Sequence, residues 1–336
     1  MKIKNLYPFK LKPVLKDIIW GGNRLASEYG KSENPNQKIA ESWELTVHKN
    51  GVNIIENGEY AGKSLEDLFK LDKSIVSSDY NSDKFPLLIK FIDAGQNLSV
   101  QVHPDNDYAQ KNENGELGKT EMWYIIDAKP GAKIVYGLNN NYTREELQNL
   151  IDSGRFEDCL NYIEVKPGDV YFIPAGLVHA IGEGILIAEI QQNSDTTYRF
   201  YDYNRLEPDG KPRKLHVKQA LDVCIKTKTE YKNPKLTQDI LHILPWFEFL
   251  SICEYFIVSR LDLKKQKQIT LNCRQYFCSV ICIDGNGEIV YKRKKYIIKK
   301  GDSYFIPANT ENIKINKTSE NCVLILTTLG NKIFNI

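Results

Sequence analysis

Between Pro167 and Asp202 the chain reads PGDVYFIPAGLVHAIGEGILIAEIQQNSDTTYRFYD, and the turn positions of its first part are all Gly or Pro. Gly168 opens a short apolar strand, Pro174 and Gly176 force a tight corner, and His179 begins the return segment. Glycine accepts the positive φ that other residues resist, so this punctuation dictates strand, corner and strand. One histidine is thereby carried to the start of a strand. An isolated histidine is more often an ordinary core or surface group than a ligand, so His179 acquires meaning only with companions.

Such companions stand upstream. In GQNLSVQVHP, starting at Gly95, Ser99, Gln101 and His103 alternate with Leu98, Val100 and Val102. A period of two puts the polar side chains on one face of a strand and the apolar ones on the other. Eighteen residues past His103, Glu121 starts another strand in GKTEMWYII. Gln101, His103, Glu121 and His179 make a set of two imidazoles, one carboxylate and one amide. Nitrogen and oxygen donors without thiolate suit zinc, with manganese, iron or cobalt left open. The absence of sulfur argues against a closed structural zinc site and for a Lewis-acid site with positions free for water or substrate.

The spacing Gly, five residues, Pro, one, Gly, two, His resembles the second signature motif of cupins. Gly95, five residues, then Gln-x-His resembles the first, with Gln101 in place of the usual histidine. The strings QVHPDNDYA, GKTEMWYII and IPAGLVHAIGEGILIAEIQQNSDTTYRFYDY are similar to the short bacterial form of type I mannose-6-phosphate isomerase (phosphomannose isomerase), a zinc cupin enzyme. AESWELTVH at 40 to 48 and the opening LKPVLKDIIWGG extend the likeness over most of residues 7 to 230. The resemblance implies one Zn(2+) per chain and an aldose-ketose isomerase acting on mannose 6-phosphate and fructose 6-phosphate through an enediol. Two rivals share the scaffold: a cupin isomerase for another sugar, and a non-catalytic metal-dependent sugar-binding protein.

Lys90 interrupts the apolar strand FPLLIKFIDA, which means either a strand end reaching solvent or a charge held for a ligand. With Ser99 it makes a plausible cradle for a phosphate, and the resemblance implies that role for both. Arg199 matches the arginine of the family's SD-x-x-x-R pattern, which implies a catalytic cation. Lys119 lies two residues before Glu121 and so faces the same side of a strand, and Glu189 sits between Ala188 and Ile190, where burial would raise its pKa towards that of a general base. These two are nominated for the proton shuttle. Plainer readings are a salt bridge from Lys119 to Asp105 and a Glu189 that orients a ligand histidine. His48 and His216, with no ligand-spaced neighbours, read as surface or capping residues, and His242 stands alone.

The expected fold is mainly β: two cupin-type jelly-roll barrels with a small helical insertion around 143–160. Residues 1–238 form the metal-binding catalytic domain and 239–336 a degenerate, metal-free one. TREELQNLIDSG is a helix with a Thr143/Glu146 capping box. KGDSYFIPANTEN at 300–312 echoes PGDVYFIPAGLVH at 167–179, with Asn309 for Gly176 and Asn312 for His179.

A net charge of +2, from 45 basic and 43 acidic residues, points to no nucleic-acid or anionic-membrane partner. The basic runs KPRK at 211, KKQK at 264 and KRKK at 292 read as solvated faces. Neither a signal peptide nor a ~20-residue apolar span is visible, so a cytoplasmic monomer or homodimer is expected, its partner a small sugar phosphate. Seven cysteines, odd in number and without a CxxC pair, fit reduced core thiols.

Overall fold

The computed structural model describes residues 3–207, 209–231, 246–264 and 266–330. His242 and the expected boundary after residue 238 lie outside them. The fold is mainly β. One five-stranded sheet runs in the order Leu160–Glu164, Lys133–Leu138, His179–Ile181, Val100–Val102, Tyr198–Tyr201. A six-stranded sheet runs Val170–Ile173, Glu121–Ala128, Ile185–Gln192, Leu87–Asp93, Glu41–Leu45, Val14–Lys16. Among the described residues the hydrogen-bonded path of neither closes on itself.

Alternation explains how the six-stranded sheet can be buried on both faces. In Ile185–Gln192, Leu186, Ala188 and Ile190 pack into a core shared with the C-terminal half, whereas Ile185 and Ile187 face the core beside the five-stranded sheet. Glu189 shares the parity of the second set. Leu87–Asp93 repeats the pattern: Ile89 and Phe91 face the C-terminal half, Ile92 the other side, and Lys90 shares the parity of Ile92. The lysine in an apolar strand is thus a cavity-facing residue rather than a strand end.

The outer face of the five-stranded sheet is covered by the helices Arg144–Asp152 and Val217–Val223, through Leu147, Ala220 and Leu221 against Val100, Val102 and Phe200. The expected capping box is present, with Thr143 Oγ1 accepting from Glu146 N and Glu146 accepting from Thr143 N. Phe156–Cys159 is a 3-10 turn leading into a strand.

Seven C-terminal strands and two from the start of the chain form a nine-stranded sheet around the long strands Cys278–Tyr291 and Thr310–Leu329. Its path is continued by Phe9–Lys12, which pairs with Ser303–Ile306 and with Ile54–Ile55. The echo noted in the sequence is structural: Gly168 and Gly301 have φ of 89° and 91°, and Gly176 and Asn309 share positive φ at 86° and 63°. The bonds repeat too, Lys166 N to Asp169 Oδ2 and Lys299 N to Asp302 Oδ2, both 2.9 Å. A Cβ on Gly176 would lie 2.8 Å from Val223 O, which explains glycine at the corner that packs under a helix.

Phe305 is fully buried and stacks on Phe277 at 5.1 Å and Phe9 at 6.2 Å, joining the chain's first strand to the C-terminal core. Phe305→Ala is expected to lower the free energy of unfolding by about 3–5 kcal/mol, read from the denaturant midpoint.

Candidate metal centre and active site

Where the inner faces of the two sheets meet, they bury His103, Glu121 and His179, each about 1% exposed. The five-stranded sheet supplies His179, register partner of Gln101, with His103 just past the end of Val100–Val102; the six-stranded sheet supplies Glu121. His103 Nε2 lies 3.1 Å from His179 Nε2 and 3.2 Å from Glu121 Oε1. One ligand atom from each of the three residues falls within 4.8 Å of the others.

The imidazole tautomers follow from the main chain. His103 Nδ1 is 2.8 Å from Thr196 O and His179 Nδ1 2.8 Å from Leu177 O; a carbonyl only accepts, so both Nδ1 atoms carry the proton and both Nε2 atoms present lone pairs. Burial first, then the charge of Lys119, pushes His103 down to about 3, and burial lowers His179 as well, so both rings are neutral. Burial alone would raise the Glu121 carboxyl, but the charge of Lys119 holds it well below the usual range. Three lone pairs aimed at one point repel one another, and a cation between them reverses the sign of that interaction. The donor set, neutral imidazoles and an ionised carboxylate, fits a divalent ion such as zinc.

Beside this cluster lies a cavity of about 410 Å³ lined by Lys90, Ser99, Gln101, Lys119, Glu189 and Arg199, so every remaining sequence candidate reaches one space. Lys119 Nζ is 2.8 Å from Glu121 Oε1 and 3.3 Å from His103 Nε2. Asp105 is not its partner; that carboxylate caps the helix Asn106–Asn112 by accepting from Tyr108 N. Glu189 is raised to about 7, first by burial and then by Glu121, against the pull of Lys90 and Lys119. Trp123 Nε1 donates to Glu121 Oε2 and Glu189 Oε2, both at 3.0 Å, and so ties the two carboxylates together. Lys90 stands 3.2 Å from Glu189 and 3.5 Å from Glu41; burial opposes its charge, yet these carboxylates raise its pKa.

His48 departs from the surface reading. It is 7% exposed, and its Nδ1 accepts from Asn50 N at 3.2 Å. His216 occupies a helix N-cap position without a side-chain cap bond. Glu41, Trp43, Asn50, Asp195 and Arg213 also line the cavity and were not nominated from the sequence. Asp195 had a signal, its place four residues before Arg199; the others come from separate segments that only folding joins.

An open cluster of nitrogen and oxygen donors between two β-sheets, flanked by a lysine, an arginine and a buried glutamate, defines a metal-site enzyme of the cupin class. Family models agree. Residues 8–128 match the phosphomannose isomerase type I catalytic domain and residues 247–326 the mannose-6-phosphate isomerase cupin domain. The chain is 40% identical to mannose-6-phosphate isomerase ManA of Bacillus subtilis, across 94% of this chain and 98% of that one. It is 38% identical to mannose-6-phosphate isomerase of Streptococcus mutans, across 89% and 92%. The crystal structure of the mannose 6-phosphate isomerase from Bacillus subtilis superposes with a TM-score of 0.87 at 37% identity, covering 96% of this chain and 99% of that one. The chain belongs to the type I phosphomannose isomerase family.

Saturation with a divalent ion at a hundredfold over its Kd is expected to stabilise the fold by about 2.7 kcal/mol, seen as a higher Tm that chelation reverses. His179→Ala should abolish most of that difference; an equal metal-dependent shift in the variant would exclude His179 from the ligand set.

Proposed function

We propose that this chain interconverts mannose 6-phosphate and fructose 6-phosphate through an enediol, with one zinc ion held by Gln101, His103, Glu121 and His179. The carrying observation is the convergence of unprotonated Nε2 atoms and a carboxylate beside a cavity whose walls bear Lys119, Glu189 and Arg199. When bound, the ion polarises the substrate's carbonyl and hydroxyl oxygens as a Lewis acid.

The protein's own groups do the rest. An aldose-ketose exchange takes a proton from the carbon next to a carbonyl and returns one to the adjacent carbon. Glu189, whose pKa of about 7 leaves it able both to accept and to release a proton near neutrality, suits the base. Lys119 serves the oxygen-bound proton as the enediol forms and collapses. Arg199 lines the opposite wall as a cation for the developing oxyanion. Ser99 and Lys90 hold oxygens of the phosphate, Lys90 also fixing the Glu189 carboxylate at 3.2 Å. The seven free thiols suit a reducing, cytoplasmic setting.

Isomerisation of mannose 6-phosphate, followed by coupled reduction of a nicotinamide cofactor, should vanish with chelator and return with zinc. Lys119→Met should keep its metal and lose about a hundredfold or more in kcat. Full turnover by that variant would remove Lys119 from the chemistry, and a zinc-loaded wild type without turnover would shift the reading to another sugar or to binding alone.

A further inference from the structure

The two walls of the cavity differ in charge. On the six-stranded side the Lys90 ammonium lies between Glu41 and Glu189, so two carboxylates face one cation. Two guanidiniums, Arg199 and Arg213, line the same cavity without a carboxylate of that sheet as partner. Arg199 Nε is buried with no hydrogen-bond partner. Burial and then the nearby charge of Arg213 lower its pKa, which places the two guanidiniums within electrostatic reach of each other. A phosphate monoester carries a charge of roughly −1.5 to −2 near neutrality. Lys90 and Ser99 can donate hydrogen bonds to it, but the largely buried Glu41 and Glu189 carboxylates already offset the Lys90 charge.

We propose that Arg213 supplies that charge, anchoring the substrate's phosphate in the cavity while Asp202 holds the guanidinium in place. Asp202, 4% exposed, accepts from Arg205 and from Arg213 through the same Oδ1, the Arg213 Nη1 contact being 3.4 Å. Arg213 Nε is 3.2 Å from Glu207 Oε1, on a carboxylate 41% exposed and so weakly held. A guanidinium has five donors in a planar fork, and these contacts engage two, leaving the rest for phosphate oxygens. Arg205 Nη1 also donates to Asn97 O at 2.5 Å, which fastens this arginine cluster to the segment leading into Ser99. The run KPRK is therefore not wholly a solvated face: Arg213 turns inward while Lys211 and Lys214 stay exposed. Asp202 keeps Arg205 as its counter-ion when Arg213 is replaced, so the loop has no reason to unfold.

The assignment rests on the sugar-phosphate isomerase reading, and two measurements on zinc-loaded protein separate them: kcat and KM for mannose 6-phosphate, and calorimetric titration with inorganic phosphate. Arg213→Gln should raise both KM and the phosphate Kd by about tenfold to a hundredfold with a much smaller change in kcat. Arg213→Lys should recover part of the loss, as it keeps the charge but not the fork. Unchanged KM and unchanged phosphate affinity in Arg213→Gln would overturn the anchor and leave the isomerase reading intact. A wild type that binds phosphate through Arg213 yet does not turn over mannose 6-phosphate would retire the isomerase reading and keep the anchor.

Discussion

Everything in the active half depends on two main-chain carbonyls. Thr196 O and Leu177 O take the Nδ1 protons of His103 and His179, and that choice alone turns both Nε2 lone pairs toward Glu121. Leu177 stands two residues before His179 in the Gly/Pro corner, so the turn that positions the histidine also sets its tautomer. Thr196 belongs to the segment that leads into Arg199, so one loop orients a candidate ligand and delivers a cation to the cavity wall. Backbone geometry, rather than any acidic neighbour, leaves these imidazoles free to act as ligands.

Such a cluster needs rigid support, and the six-stranded sheet provides it by being buried on both sides. Its residues at Leu186, Ala188 and Ile190 are packed into the core that also contains Phe9, Phe277 and Phe305. A shift of one residue in register would put Glu189 and Lys90 into that apolar core and lift Ile89 and Ala188 into the cavity. The desolvation cost of the misplaced charges excludes the slip. The C-terminal sheet, whose turn retains the glycine-type φ at Asn309 and carries Asn312 where His179 stands, contributes as the surface against which the catalytic strands are pressed.

What was legible in the sequence was what local rules determine. The corner at Gly176, the alternation through Ser99, Gln101 and His103, and the parity of Lys119 with Glu121 each involve a few neighbouring residues, and each led to a cavity-facing or buried group in the structure. Long-range facts were not legible. Nothing in FKLK says that it pairs with Ser303–Ile306. A bulge between Trp43 and Leu45 shifts the register against Leu87–Asp93, so Trp43 lines the cavity while Leu45, two residues on, packs into the core shared with the C-terminal half, and no local pattern in AESWELTVH announces the change. Arg213 was hidden for another reason: a charged run has the same composition whether its members face water or a cavity, and only Asp202 and the sheet edge separate the two.

The carboxylate pair across Trp123 shows how the site keeps two like groups in different states. Glu121 and Glu189 share one indole N–H, yet Glu121 has Lys119 at 2.8 Å and is held ionised, whereas Glu189 has Lys90 at 3.2 Å, itself divided with Glu41, and rises to about 7. Environments that push two carboxyl pKa values apart separate a permanently charged carboxylate from a group able to trade protons. Glu41 matters here although it touches no candidate ligand: by claiming part of the Lys90 charge it keeps that ammonium from fully neutralising Glu189. For the proposed reaction, Lys90 is accordingly better placed to tune Glu189 than to carry the net charge of a phosphate, a burden that would fall to the arginines on the other wall.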